Sequence, residues 1–195
     1  MGPNRAVAFP GKPESGLDRT TMRRLSSLTL TVAVVAGGVS LAAAAPAAAL
    51  GAGRVCMINA TEGAATAGHV GWGFRVGGAD DWIYGASEDA DHNWQKESNW
   101  KTMLDTFRVQ GGRGYYDTYR CMNTGHSSVT AAKNEVKAAY SRPYDLGRDN
   151  CLTRAVEFFT TYDSDLWSNL PLASYTGPNW YYDNDLHGFE GKVNL

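Results

Sequence analysis

Residues 68–86 read GHVGWGFRVGGADDWIYGA. Val70, Trp72, Phe74 and Val76 alternate with His69, Gly71, Gly73 and Arg75. This is the period of two that sends successive side chains to opposite faces of a strand. Gly77-Gly78-Ala79-Asp80 is a turn signal, after which Trp82, Ile83 and Tyr84 resume an apolar run. The stretch predicts a β-hairpin whose Val70 face is core. The opposite face carries His69 and is cleared by glycine, which inside a strand marks close approach by a backbone or a ligand. If Val76 pairs with Asp81, His69 lies opposite Glu88. A slip of one residue would bring another side chain there, and Asp89 or Asp91 would then serve.

Outward from the hairpin, residues 54–59 read as a short strand and residues 87–99 as a polar surface loop. Residues 100–109 carry Met103, Leu104 and Phe107 at helical spacing, closed by Gly111-Gly112. A strand at 115–122 follows, then a helix capped by Ser127 or Ser128 and running to about Tyr140. After the turn formers of residues 144–150, a second long helix starts at Cys151. It turns Leu152, Ala155, Val156, Phe158 and Phe159 inward and ends near Tyr162. Residues 169–195 are aromatic, rich in Gly, Asn and Asp, and read as irregular. Strands and helices without βαβ regularity predict an α+β domain, a small antiparallel sheet with packed helices.

The N-terminal quarter reads as a targeting segment. No charge occurs between Arg24 and Arg54. Met22-Arg23-Arg24 forms a basic start, residues 28–36 a short apolar core, and Ala47-Ala48-Ala49 a small-residue cleavage signal. The expectation is export, with residues 1–49 a signal region and 50–195 a single secreted α+β domain. A retained anchor is the alternative, and residues 1–21 read as an extension ahead of a start at Met22. Processing would leave no membrane span. Residues 1–49 hold five of the 18 basic and two of the 20 acidic residues, so the remainder is mildly acidic. That balance argues against nucleic acid as a partner bound through a broad basic surface.

Three cysteines in an exported chain leave one unpaired. Spacing alone allows three pairings. Asp149-Asn150 precedes an apolar helical pattern and signals an N-cap, which puts Cys151 in the first helical turn. The partial positive charge there favours thiolate over thiol. Cys151 is thus the natural spare thiol, and Cys56 with Cys121, both in predicted strands, the natural disulfide. A thiolate nucleophile needs an imidazole partner, and His69 is the candidate. Glu88 is the candidate third member, holding the imidazole tautomer. Asn150 is a candidate oxyanion support beside the Cys151 N–H.

Other chemistries have less support. The four histidines, at 69, 92, 126 and 187, show no HExxH spacing and no paired Cys-x-x-Cys accompanies them, so no metal site is expected. No Gly-rich phosphate loop opens a helix, and no cofactor is expected. Asp80-Asp81 and Asp89-Ala90-Asp91 read as solvated turns rather than calcium ligands. Aromatic residues, with Trp72, Trp82 and Trp180 as candidates, could line a substrate groove beside Tyr115-Tyr116 and Trp180-Tyr181-Tyr182.

Gly68-His69-Val70-Gly71-Trp72, Trp82-Ile83-Tyr84-Gly85 and the run from Tyr144 to Asn150-Cys151-Leu152 together resemble the circularly permuted papain-like proteins. These include the lecithin-retinol acyltransferase-like proteins, the PPPDE-like group and bacterial permuted cell-envelope amidases. In that family His comes early on a hairpin strand and an Asn-Cys pair opens a late helix. The resemblance covers about residues 69–159. It implies a thiol hydrolase or acyltransferase with Cys151 as nucleophile, His69 as base, and a peptide or acyl substrate. It also implies that Gly71 and Gly73 let the Cys helix pack on the His strand. The chain departs from the pattern in lacking an obvious polar third residue and in the tail beyond Leu166. The resulting expectation is a secreted cysteine-dependent hydrolase or acyltransferase acting on an amide or ester, with envelope peptide as the natural substrate guess. The alternative is a non-catalytic secreted binding module on the same scaffold, with the aromatic tail as its contact surface.

Overall fold

The computed structural model describes residues 53–77, 80–89, 92–112 and 114–195. The signal region, Gly78 and Ala79 of the hairpin turn, and Asp91 lie outside the described residues. Four strands run in sequence order: β1 (Gly53–Ala60), β2 (His69–Arg75), β3 (Asp81–Ser87) and β4 (Asn93–Asn99). Helix α1 (Trp100–Val109), strand β5 (Thr118–Thr124), and helices α2 (Val129–Ala139) and α3 (Cys151–Tyr162) follow. A short helix α4 (Pro178–Asn184) and a two-residue strand β6 (Val193–Asn194) complete the order. The strands form one antiparallel sheet, ordered β4-β3-β2-β1-β5-β6. No helix among the described residues is long and apolar enough to cross a membrane.

Period-two patterning sorts the side chains to two cores. Val55, Met57, Val70, Trp72, Phe74 and Ile83 face α2, α3 and the C-terminal segment. Cys56, Ile58, Trp82, Tyr84 and Cys121 face α1, where Met103, Leu104 and Phe107 cover them. Both faces of the central strands are therefore dry, which explains why 54–60 reads as a near-continuous apolar run. Cys56 and Cys121 stand opposite each other in the β1–β5 register and form a disulfide, leaving Cys151 free.

Three expectations change. Residues 87–99 are not all loop: Asn93–Asn99 is an edge strand, whose ladder bonds to β3 need no apolar pattern. The tail is not irregular throughout, since Tyr181 and Tyr182 of α4 are buried against the main core. Finally, Gly71 and Gly73 do not admit the Cys helix. A Cβ on Gly71 would stand 2.4 Å from Phe107 Cε1, and one on Gly73 would stand 2.8 Å from Met103 Sδ. The glycines make room for α1, while α3 packs on the opposite face, with Phe158 edge-on to Trp72 at 5.0 Å.

Candidate active site

The site forms where β2 begins, β3 ends and α3 begins. Hairpin register supplies its first pair. Arg75 faces Trp82 and Gly71 faces Ala86, and the Val76 N–H donates to Asp81 O at 2.7 Å. The same offset brings His69, the first residue of β2, beside Glu88, the residue after β3. His69 Nε2 lies 2.9 Å from Glu88 Oε2. The approach is close but oblique, so charge rather than a straight hydrogen bond holds the pair. The other carboxylate oxygen accepts from Trp94 Nε1 at 2.7 Å and from the Tyr116 hydroxyl at 3.1 Å. Burial works against the Glu88 carboxylate, but His69, Trp94 and Tyr116 outweigh it and hold its pKa below the usual range.

The nucleophile candidate comes from the helix cap. Asn150 Oδ1 accepts from the backbone N–H of Leu152 at 3.0 Å and of Thr153 at 3.1 Å. Thr153 Oγ1 accepts from the Asn150 N–H at 2.8 Å, completing a capping box. Cys151 is thereby fixed as the first helical residue. Arg154 fixes where that end points. Fully buried, it pairs with Asp149 at 2.6 Å and donates to Asn93 Oδ1 at 3.2 Å and Ser87 Oγ at 3.4 Å. This ties the first turn of α3 to the ends of β3 and β4, next to Glu88.

Cys151 and His69 meet across this junction. Burial disfavours the thiolate, but the hydrogen bond and charge of His69, the Val70 N–H and the Tyr144 hydroxyl together lower the thiol pKa. Burial likewise opposes the imidazolium, yet Cys151 and Glu88 push the His69 pKa up to about 10. With Nε2 turned to Glu88, Nδ1 is the ring nitrogen left for the sulfur. The arrangement can hold a thiolate–imidazolium pair at neutral pH, with a carboxylate behind the imidazole.

A cleft of about 510 Å³ opens on this pair, within the range of roughly 300–1,000 Å³ common for ligand sites. Residues 64–68 form one wall. Ala64, Ala65 and Thr66 have φ of 45°, 56° and 75°, three successive left-handed residues that are strained for L-amino acids. Asn179 of α4 holds them, its Nδ2 donating to Thr61 O at 2.9 Å and Thr66 O at 3.1 Å. Gly68, at φ +90°, is required beside it, since a Cβ there would lie 2.3 Å from Asn179 Oδ1.

The structure thus brings His69, Glu88 and Cys151 together. It does not leave Asn150 free of other duties: Oδ1 accepts at the cap and one Nδ2 hydrogen goes to Leu146 O at 2.6 Å, although the residue lines the cleft. Nor do the tryptophans line the cleft. Trp72 and Trp82 are core, and Trp180, 65% exposed, lies outside the lining. Tyrosines line it instead, at 115, 144 and 175. Tyr144 is the functional candidate that sequence reasoning left without a role; its hydroxyl accepts from the Cys151 N–H at 3.3 Å. It lies in a turn-rich loop with no periodicity to single it out. Arg154 was visible as a charge in the apolar stripe of α3. Trp94 carried no signal, and Tyr116 stood out only as half of an aromatic pair, not as a partner of Glu88.

Comparison with protein-family models, with curated proteins and with solved structures finds no match to this chain.

Proposed function

We propose that the chain is a cysteine-dependent hydrolase or acyltransferase of permuted papain-like type, acting on an amide or ester through Cys151 and His69. The observation that carries this reading is the placement of His69 between a buried free thiol and the Glu88 carboxylate, at the floor of an open cleft. The Cys151 thiolate attacks the carbonyl carbon, forming a C–S bond and a tetrahedral oxyanion. The oxyanion accepts from the Cys151 N–H, which the Tyr144 hydroxyl now occupies, and from that hydroxyl itself. Collapse expels the amine or alcohol, which takes the proton of the His69 imidazolium. Neutral His69 then removes a proton from water or an acceptor alcohol, which attacks the thioester and returns the thiolate. Glu88 keeps the imidazole oriented and stabilises its charged form. The signal pattern of residues 22–49 supports action outside the cell, on an envelope peptide or acyl substrate.

The test is hydrolysis of p-nitrophenyl acetate and of peptide amides by wild type, Cys151→Ser and His69→Ala. Activity lost in both variants, with folding retained, is the expected result. Activity that survives Cys151→Ser ends the reading, and wild type inactive on every ester and amide favours the binding-module alternative.

A further inference from the structure

The lining of the cleft carries a second message, about which acyl group it takes. Around the thiol, Tyr115, Tyr144, Leu146, Tyr175 and Pro178 present ring and aliphatic surface, and Leu146 stands 82% exposed at the rim. The charged lining residues besides the Cys151–His69 pair are Glu88 and Asp89, both acidic. Neither Lys nor Arg lines the cleft among the described residues. The nearest guanidinium groups are already placed. Arg154 lies 5.3 Å over the Tyr144 ring and pairs with Asp149. Arg148 lies 5.5 Å over the Tyr175 ring, donates to its hydroxyl, and lines the neighbouring depression with Trp167 and Leu172. Asp89 is engaged with the His92 ring at 2.8 Å on the solvent side.

We infer that the site takes an uncharged, apolar or aromatic acyl group and excludes an anionic one. The inference rests on the proposed function and narrows its substrate class. A carboxylate or phosphate on the acyl side would meet two like charges, and the one cation in the lining, the His69 imidazolium, is already paired with Cys151 and Glu88. A ring or alkyl chain would displace water from tyrosine and leucine surface, which is favourable in proportion to the area covered. Geometry selects against envelope-peptide acyl groups that carry a free carboxylate at this position, and for neutral ones.

The test reads the cleft without requiring turnover. Cys151 in the full chain is treated with benzyl methanethiosulfonate and with its anionic sulfonatoethyl and cationic trimethylammonioethyl analogues. In each case the thiolate attacks the sulfenyl sulfur, an S–S bond forms, and methanesulfinate leaves with the electron pair. Rates are divided by those of the same reagents with 2-mercaptoethanol thiolate. The benzyl reagent should be favoured over the sulfonatoethyl reagent by roughly tenfold more than for the free thiol. Leu146→Lys, a change at an exposed rim position, should lower that preference at least threefold. A preference equal to that of the free thiol, a faster cationic than benzyl reagent, or a thiol closed to all three overturns the inference. Selective labelling without hydrolysis of any ester would instead defeat the catalytic reading and leave the acyl preference standing.

Discussion

His69 and Glu88 are joined by hairpin register: 2.9 Å separates Nε2 from Oε2 because Val76 pairs with Asp81 at the far end of the same two strands. The far oxygen of Glu88 is held by Trp94 from the edge strand and by Tyr116 from the segment before β5. A carboxylate gripped at one oxygen and turned to an imidazole at the other acts on the ring's charge without competing for the sulfur.

Glu88→Gln keeps an oxygen for Trp94 and removes the charge facing His69. Loss of a nearby opposite charge should lower the imidazole pKa by about 1–3 units. The upper inflection in the pH profile of Cys151 alkylation, expected near 10 in wild type, should fall accordingly. An unchanged profile would make Glu88 a packing residue.

Stability should follow the same pair. His69 is raised from 6.5 to about 10, so its contribution is full below 6.5 and lost as pH rises through 10. Cys151 is lowered from 9.0, so its contribution is full above 9.0 and lost as pH falls through its depressed value. The contributions trade off between 6.5 and 9.0, giving a plateau with losses on either side. Subtracting the pH–stability curve of Cys151→Ala, measured by urea denaturation, from that of wild type should show this plateau. A difference curve that climbs steadily with pH would contradict the ion pair.

Removing a native disulfide from a small domain costs about 2–5 kcal/mol. Cys56→Ala with Cys121→Ala should lower the melting temperature by many degrees, while Cys151→Ala, which loses only the ion pair, should lower it less. Equal losses in the two proteins would contradict the division of labour among the cysteines.

Gly71→Ala should cost roughly 1–3 kcal/mol, because its Cβ would meet Phe107 Cε1 at 2.4 Å in a packed core. Phe107→Leu in the same chain should return part of that loss. Additive losses would show that the two side chains do not press on each other.

How far the residues spoke for themselves differs from element to element. Helices α1 and α3 were legible because one apolar stripe repeats at helical spacing and caps mark their ends. The β2–β3 register was legible because turn length and alternation must agree. Strand β4 was not, since an edge strand in contact with water is built from Gln95, Lys96 and Glu97 as readily as a loop is. The glycine face of β2 announced close approach but not by what, and Phe107 lies more than thirty residues away. Tyr144, Trp94 and Tyr116 act through single tertiary hydrogen bonds, which leave no period in a sequence.

A chain that carries both a thiolate and a disulfide is a hazard to itself, since the first is the reagent that opens the second. Here the sheet is the partition. Cys56 and Cys121 lie fully buried among the side chains beneath α1, and Cys151 belongs to the core on the opposite face. Attack in line with the S–S bond would require the thiol to pass through paired strands. Self-exchange thus calls for those strands to part, so a thiolate at Cys151 would leave intact the bond that staples β1 to β5.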